Sequence, residues 1–102
     1  MKYSIIFSQL ASEDLTEILG WYKSREVADL DKQFIAFISK SLKRIEINPE
    51  LNPIVFKDVR RALLKIFPYK ILYYVNEINK EVHVIAVIHI SRDPKVWQER
   101  VI

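Results

Sequence analysis

The side chains of this sequence that could do chemistry are its two histidines and the arginines towards its C-terminal end. His83 and His89 are six residues apart in one predicted strand, where alternation places both on the same side. At ~3.4 Å per residue they are about 20 Å apart, so they cannot share a metal ion. His89 is close to Arg92 in the sequence. In RNA cleavage the histidine could serve as general acid or base, and the arginine could stabilise the charge of the phosphorane. The alternative, which we favour, is that His89 is a hydrogen-bonding anchor for the Arg92-Asp93-Pro94 corner.

The composition excludes several other chemistries. The chain has no cysteine, which excludes disulfides, thiolate metal sites and a cysteine nucleophile. Its single glycine, Gly20, is too few for a glycine-rich phosphate loop, and no zinc-binding pattern is present. We therefore expect no metal and no cofactor. The absence of cysteine favours a reducing cytoplasm, and the apolar run Ile5-Ile6-Phe7 is too short for a signal peptide or a membrane span.

The positive charge is concentrated in the second half of the chain. Residues 1–55 hold 7 Lys/Arg and 8 Asp/Glu, whereas residues 56–102 hold 9 and 5. This asymmetry indicates a negatively charged partner, either nucleic acid or an acidic protein segment. The alternative is a solvated surface that favours solubility. Aromatic residues that could stack on unpaired bases are interleaved with the basic ones, although for any single one of them we favour a place in the core: Tyr69, Tyr73, Tyr74, His89 and Trp97.

Apolar periodicity predicts two helices in the first half of the chain. One helical face repeats at Ala11, Leu15, Ile18 and Tyr22, and Ser8 fits an N-cap before it. A second helix follows Asp29 as its cap and ends at Asn48-Pro49, since proline disfavours the α region for the residue before it. Only a few residues join these helices, so we expect an antiparallel hairpin.

The second half of the chain predicts a meander of strands over residues 60–67, 70–76 and 82–90. The last of these is apolar on both faces and should lie centrally, with the helices over one side. A short strand at residues 3–7 should join the same sheet. Asp93 caps a final helical turn that has Pro94 at its first position, and Trp97 can pack back on the sheet. The prediction is one α+β domain over residues 1–102, a helical hairpin on a twisted antiparallel sheet, in the order β-α-α-β-β-β.

Order and spacing along nearly the whole chain resemble the RelE/ParE superfamily of type II toxin–antitoxin toxins, in particular its ParE-like branch. The resemblance is carried by Ala11, Asp14-Leu15, Ile18, Trp21-Tyr22, Asn48-Pro49, Val59-Arg60, the segment from Phe67 to Tyr74, the segment from His89 to Pro94, Trp97 and Arg100. The resemblance implies the same fold that the apolar periodicity predicts. It also implies a toxin neutralised by a partly disordered, acidic antitoxin, which would bind around Leu19, Tyr22, Phe34 and Ile38.

Two activities divide this superfamily, so the resemblance implies two alternatives. ParE-like members inhibit DNA gyrase by binding, whereas RelE-like members cleave mRNA in the ribosome. The tail pattern His-x-x-Arg-Asp-Pro with Trp97 is more similar to ParE, and the C-terminal tyrosine typical of RelE is missing. We therefore expect a gyrase inhibitor. For a nuclease, the catalytic candidates would be Arg60, His89 and Arg92.

For either target, we expect the binding surface to be basic, with residues 60–90 gathering its positive charges beside the C-terminal corner. The candidates for target binding are Lys57, Arg60, Arg61, Lys65, Arg92, Lys95, Trp97 and Arg100. A third possibility is a relative of these toxins that has lost toxicity and binds only an antitoxin or nucleic acid.

Overall fold

The computed structural model describes residues 2–101. They form an α+β fold in which a five-stranded sheet has the order β1-β5-β4-β3-β2. The elements, in chain order, are β1 (Ser4–Phe7), α1 (Gln9–Lys23), α2 (Leu30–Ile47), a short 3-10 helix (Pro49–Leu51), β2 (Ile54–Phe56), β3 (Val59–Leu63), β4 (Tyr69–Asn76), β5 (Glu81–His89) and α3 (Lys95–Gln98). No helix within residues 2–101 is long and apolar enough to cross a membrane.

The sheet is mixed rather than wholly antiparallel. Strands β2 to β5 pair antiparallel, but β1 runs parallel to β5, with Ser4 opposite Glu81 and Phe7 opposite Val84. The first strand therefore joins the same sheet as predicted, in an orientation that the sequence prediction did not include. Parallel strands need a long crossover connection, and here the helical hairpin and the meander together provide it.

Two details of the strand prediction are wrong. β3 ends at Leu63 rather than continuing to residue 67, because Ile66 adopts a left-handed conformation with φ 73°. The chain then turns tightly, since the Phe67 N–H donates to the Lys65 carbonyl at 2.8 Å. The three-residue strand β2 was not predicted, because such a short segment directly after Pro53 carries little periodicity.

The helix ends follow most of their sequence signals. Ser8 caps α1, and its Oγ accepts a hydrogen bond from the Ala11 N–H at 3.0 Å. Helix α2 ends at Ile47, before Asn48-Pro49, as predicted. Asp29 does precede α2, but it has a left-handed backbone and its side chain makes no capping bond. The last helix begins at Lys95, one residue later than expected, and its first N–H donates to Asp93 Oδ1 at 2.9 Å.

Both faces of the sheet are buried, and a β-bulge in β5 determines which side chains lie on each. We call the side covered by α1 and α2 the helix face, and the side covered by Trp97 and Val101 the tail face. The pairing register between β4 and β5 shifts by one residue at Ile85. Strand alternation is therefore reset, since a bulge places two consecutive residues opposite one. The helix face receives Val82, Val84 and Val87, and the tail face receives Ile85, Ala86 and Ile88.

The bulge overturns the prediction that the two histidines face the same side. His83 stacks on Tyr74, at 4.9 Å between ring centroids, and Tyr74 packs on the tail face. His89 meets Tyr69 edge-on at 5.4 Å, and Tyr69 packs on the helix face. The extra residue of the bulge lies between the two histidines and shifts the strand alternation by one. Their side chains therefore lie on opposite faces of the sheet although they are six residues apart.

Candidate functional site

A cleft of about 370 Å³ lies between α1, the start of β4 and the end of β5. Its walls bring together the aromatic side chain Trp21 from α1, His89 from the end of β5, and Arg92 from the loop that follows. The cleft is lined by Asp14, Glu17, Ile18, Trp21, Tyr22, Pro68, Tyr69, Val87, Ile88, His89 and Arg92. It combines the positive charge of Arg92 with two carboxylates and several aromatic rings, which suits recognition of a partner's polar and apolar groups together.

His89 is fixed at the rim of this cleft by the loop that follows it. The Ser91 N–H donates to His89 Nδ1 at 3.0 Å, and Ser91 Oγ lies 2.7 Å from the same atom. Because a backbone amide can only donate, Nδ1 is an acceptor, and the neutral imidazole carries its proton on Nε2. The Arg92 N–H donates to the His89 carbonyl at 3.1 Å. The two contacts at Nδ1 hold the ring against the loop that follows β5.

Trp21 forms the exposed outer wall of the cleft. Its side chain is 51% exposed although the ring is large and apolar. Arg25 lies over the ring, with its Cζ 3.8 Å from the ring centroid, in a cation–π contact. Exposed tryptophan and arginine are the residue types most enriched at binding hot spots. Sequence reasoning used Trp21 only as part of the resemblance and did not assign it to the site.

Asp14, which lines the cleft, forms a bidentate ion pair with Arg100 from the C-terminal segment. Arg100 Nη1 lies 2.7 Å from Asp14 Oδ2, and Nη2 lies 3.2 Å from Oδ1. Strand β1 ends opposite Val84, so β5 has no strand partner on that side beyond this point. Asp14 accepts from the Val87 N–H at 3.0 Å, and Arg100 donates to the Ile85 carbonyl at 2.9 Å. The pair thus replaces the missing strand and joins α1 to the tail.

Tyr22 lies at the floor of the cleft, and its hydroxyl should make stability fall at alkaline pH. Burial first, and the neighbouring Tyr69 hydroxyl second, raise the pKa of Tyr22 to about 12 from its ordinary 10.0. The folded state therefore holds this proton after the unfolded state has lost it. The stabilisation from this raised pKa is complete below pH 10. As the pH rises to about 12, the free energy of unfolding should fall by about 2–3 kcal/mol.

Urea unfolding at a series of pH values between 9 and 12 measures this effect as the difference between the native chain and Tyr22→Phe. The phenylalanine variant lacks the hydroxyl, so its stability should fall less over this range. Other alkaline titrations are common to both proteins and cancel in the difference. Parallel curves for the two would contradict the assignment.

Arg60 faces a different part of the molecule from His89 and Arg92. Its Nη1 donates to the backbone carbonyls of Glu50 at 3.0 Å and Asn52 at 2.7 Å. Arg60 pairs with Tyr73 in the sheet, whereas His89 pairs with Tyr69. These two β4 residues are about 13 Å apart along the strand. The three nuclease candidates therefore do not converge on one point.

The other predicted target-binding residues also lie in separate surroundings. Arg61 lies on the tail face of β3, and Arg100 is held in its ion pair with Asp14. Trp97 is 3% exposed and packs edge-on against Phe56. Exposed positions at different parts of the surface are occupied by Lys57 in the β2–β3 turn, Lys65 beside α2, Arg92 at the cleft and Lys95 on α3. The strands thus distribute the positive charges rather than gathering them in one patch.

Of the side chains predicted to contact an antitoxin, three are core residues. Tyr22, Phe34 and Ile38 are buried, and Leu19 is partly buried against the same cluster. The hairpin instead exposes other apolar side chains: Leu10, Trp21, Ile35 and Ile47. Periodicity alone predicts the apolar stripe of a helix but does not show which of its edges remains uncovered.

In this chain the helical hairpin covers one face of the sheet and the C-terminal segment covers the other. The family model for the ParE toxin of the type II toxin–antitoxin system parDE matches residues 5–94. The chain therefore belongs to the ParE toxin family and is a toxin of the type II toxin–antitoxin class. No curated protein matches the chain.

Solved structures of related toxins share the fold at low sequence identity. The chain is similar to a structure of the chromosomal ParDE system from P. aeruginosa, with 18% identity and a TM-score of 0.73, over 86% of this chain and 96% of that one. A mutant of the E. coli toxin RelE in the free state has 19% identity and a TM-score of 0.71, over the full length of both chains. The same RelE mutant in complex with an antitoxin RelBc peptide has 19% identity and a TM-score of 0.62, over 100% of this chain and 97% of that one.

Proposed function

We propose that this toxin inhibits DNA gyrase by binding to it, and that it does so without cutting RNA. The observation that carries the proposal is the position of Arg60, which lies outside the cleft that contains His89 and Arg92. Its Nη1 already donates to two backbone carbonyls. A nuclease needs its acid, base and phosphate-stabilising groups around one scissile bond. Membership of the ParE family supports the same conclusion, since the ParE-like branch is the one whose resemblance implies gyrase as target.

We assign the contact with gyrase to the cleft that contains Trp21 and Arg92. Arg92 is exposed and makes no side-chain hydrogen bond or ion pair with the rest of residues 2–101, so its charge is available to a partner. Trp21 offers a large exposed ring held in place by Arg25. A tryptophan and an arginine at the rim of a preformed cleft are suited to anchor a protein partner.

A cognate antitoxin completes the proposal. Related toxins have been solved with their antitoxins, as in the intact RelBE complex of E. coli. On this chain the exposed apolar side chains of the hairpin, Leu10, Ile35 and Ile47, would be covered by such a partner. An antitoxin segment that orders on binding could follow this surface along both helices.

The test is inhibition of gyrase supercoiling by the purified chain. Arg92→Ala and Trp21→Ala should each raise the concentration needed for inhibition by about tenfold, as expected for hot-spot residues. Lys43→Ala is the matched control, because it removes an exposed positive charge from α2, outside the cleft. It should inhibit like the native chain.

Cleavage of ribosome-bound mRNA with no effect on gyrase would overturn this proposal in favour of the nuclease. His89 and Arg92 do share one cleft, which is the observation that favours this second candidate. In that case His89→Gln with Arg92→Ala should reduce cleavage by about 100-fold. Under our proposal neither the native chain nor this variant cuts mRNA.

A further inference from the structure

Ser91 lies exposed in the loop between β5 and α3, and its hydroxyl contacts a ring nitrogen of His89. The Ser91 Oγ lies 2.7 Å from His89 Nδ1, and the Ser91 backbone N–H donates to the same nitrogen at 3.0 Å. Because the backbone group can only donate, Nδ1 carries no proton, and the hydroxyl must donate to it as well. The hydroxyl proton therefore already points at a nitrogen that can remove it, which is the contact that activates a nucleophilic serine.

The imidazole of this pair is held in place on two sides. The Arg92 N–H donates to the His89 carbonyl at 3.1 Å, which closes the loop on the histidine. On the other side the ring meets Tyr69 edge-on, with 5.4 Å between the ring centroids. A nucleophile and its base act together when a further group orients the base, and here the loop and Tyr69 orient it.

A second exposed serine, Ser24, makes a hydrogen bond of a different kind. Its Oγ donates to the Trp21 backbone carbonyl at 2.6 Å. A carbonyl oxygen accepts a hydrogen bond but does not take up the proton at neutral pH, whereas a neutral imidazole nitrogen does. Ser24 therefore provides the comparison with a serine that is exposed and hydrogen-bonded but has no base.

The cleft that His89 lines indicates which substrate the pair would meet. Most of the side chains around it are apolar or aromatic. Of its charged residues, Asp14 is compensated by Arg100, and Glu17 and Arg92 carry opposite charges. The cleft therefore has no excess positive charge for a phosphate dianion. It suits a neutral molecule with an apolar group, because transfer of such a group from water to an apolar cleft is favourable.

We propose that Ser91 is a reactive serine that accepts an acyl group from a neutral carboxylic ester, with His89 as its base. The Ser91 Oγ attacks the carbonyl carbon of the ester while its proton passes to His89 Nδ1. The positive charge of Arg92, which lines the same cleft, stabilises the oxyanion that forms. The bond between the carbonyl carbon and the alcohol oxygen then breaks. The alcohol leaves with the proton from His89, and Ser91 carries the acyl group as an ester.

The test measures acylation of the purified chain by p-nitrophenyl butyrate. The native chain should release p-nitrophenol in a burst and gain one butyryl group in its intact mass, which peptide mapping should locate on Ser91. Ser91→Ala should abolish the burst, and His89→Gln should slow it by at least about 100-fold. Ser24→Ala is the matched control at an exposed serine and should react like the native chain. A burst that survives Ser91→Ala, or a butyryl group on a lysine or on His89 itself, would overturn the proposal.

A thiol at the same position tests the base without removing the nucleophile. The chain has no cysteine, so Ser91→Cys and Ser24→Cys each introduce a single thiol. A neighbouring histidine favours the thiolate, which is the reactive form, so iodoacetamide should alkylate Ser91→Cys at least about tenfold faster than Ser24→Cys. Adding His89→Gln to Ser91→Cys should remove this difference. Equal rates for the two single variants would show that His89 does not act as a base, and the proposal would be wrong.

Reagents of different charge test the assignment of a neutral ester. The hemisuccinate of p-nitrophenol has an acyl chain as long as that of the butyrate but ends in a carboxylate, so it should acylate Ser91 about tenfold more slowly. With p-nitrophenyl phosphate, Ser91 should gain no phosphoryl group. Equal rates for the two esters, or phosphorylation of Ser91, would contradict the assigned substrate class. These reactions contain no gyrase, so their failure would leave the proposed function standing.

Discussion

Replacing Phe34 with alanine is expected to destabilise the folded chain by about 3–5 kcal/mol, the typical cost of removing a buried phenylalanine. Phe34 is fully buried where α2 crosses the sheet. Three rings surround it at centroid distances of 5.3 to 5.5 Å: Tyr22 from α1, Phe67 from the turn after β3, and Tyr69 from β4. The substitution would leave a cavity bounded by three separate elements, which cannot all move inwards together.

The adjacent residue provides a matched control for Phe34. Ile35 lies on the same helix but is 47% exposed. Ile35→Ala should change stability by less than about 0.5 kcal/mol, because it removes little buried area and alanine is the better helix former. Chemical denaturation of both variants measures the difference. Similar losses for the two would mean that the aromatic cluster is not the centre of the core.

Replacing Asp14 with alanine is the second large effect, and we expect a loss of about 2–4 kcal/mol. Removal of one partner of a well-buried ion pair typically costs 3–5 kcal/mol, because the other charge is left without compensation. The side chains of Asp14 and Arg100 are each 16% exposed, so water reduces this cost somewhat. The Val87 N–H also loses its acceptor.

A double-mutant cycle separates the ion pair from the rest of this loss. Arg100→Ala and the double variant complete the cycle, and the two single losses should exceed the double by at least about 1 kcal/mol. Lys32→Ala provides the comparison with an exposed pair, since the Lys32 and Asp29 side chains are 78% and 68% exposed. It should cost less than about 0.5 kcal/mol. Additive losses for Asp14 and Arg100 would show that the two act independently.

The local elements of this fold were predictable because their signals are short-range. A hydroxyl at Ser8 can satisfy the first turn of a helix wherever that helix packs, and Pro49 ends the α region before it in any context. The apolar run in β5 likewise predicts a strand buried on both faces. Each of these depends only on residues a few positions apart.

The features that escaped prediction depend on residues far apart in the sequence. The bulge at Ile85 changes which side His89 faces, but nothing in the alternation marks it, since both faces of β5 are apolar. The Asp14 and Arg100 pair joins positions 86 residues apart. From the sequence, Asp14 contributed only to the family resemblance and Arg100 was a candidate for target binding. The scattered positions of the positive charges were missed for the same reason. Whether an arginine is exposed or already bonded depends on the residues that pack around it in the fold, and these are distant in the sequence.

The parallel pairing of β1 with β5 has a consequence for the order of folding. Ser4 pairs with Glu81, so β1 finds its partner only after the 76 residues between them have been made. Contacts of such high sequence separation slow folding, because the loop between them must close first. We expect the hairpin and meander to form early and the N-terminal strand to dock last. The sheet of this toxin is therefore not complete until the strand Glu81–His89 has been made.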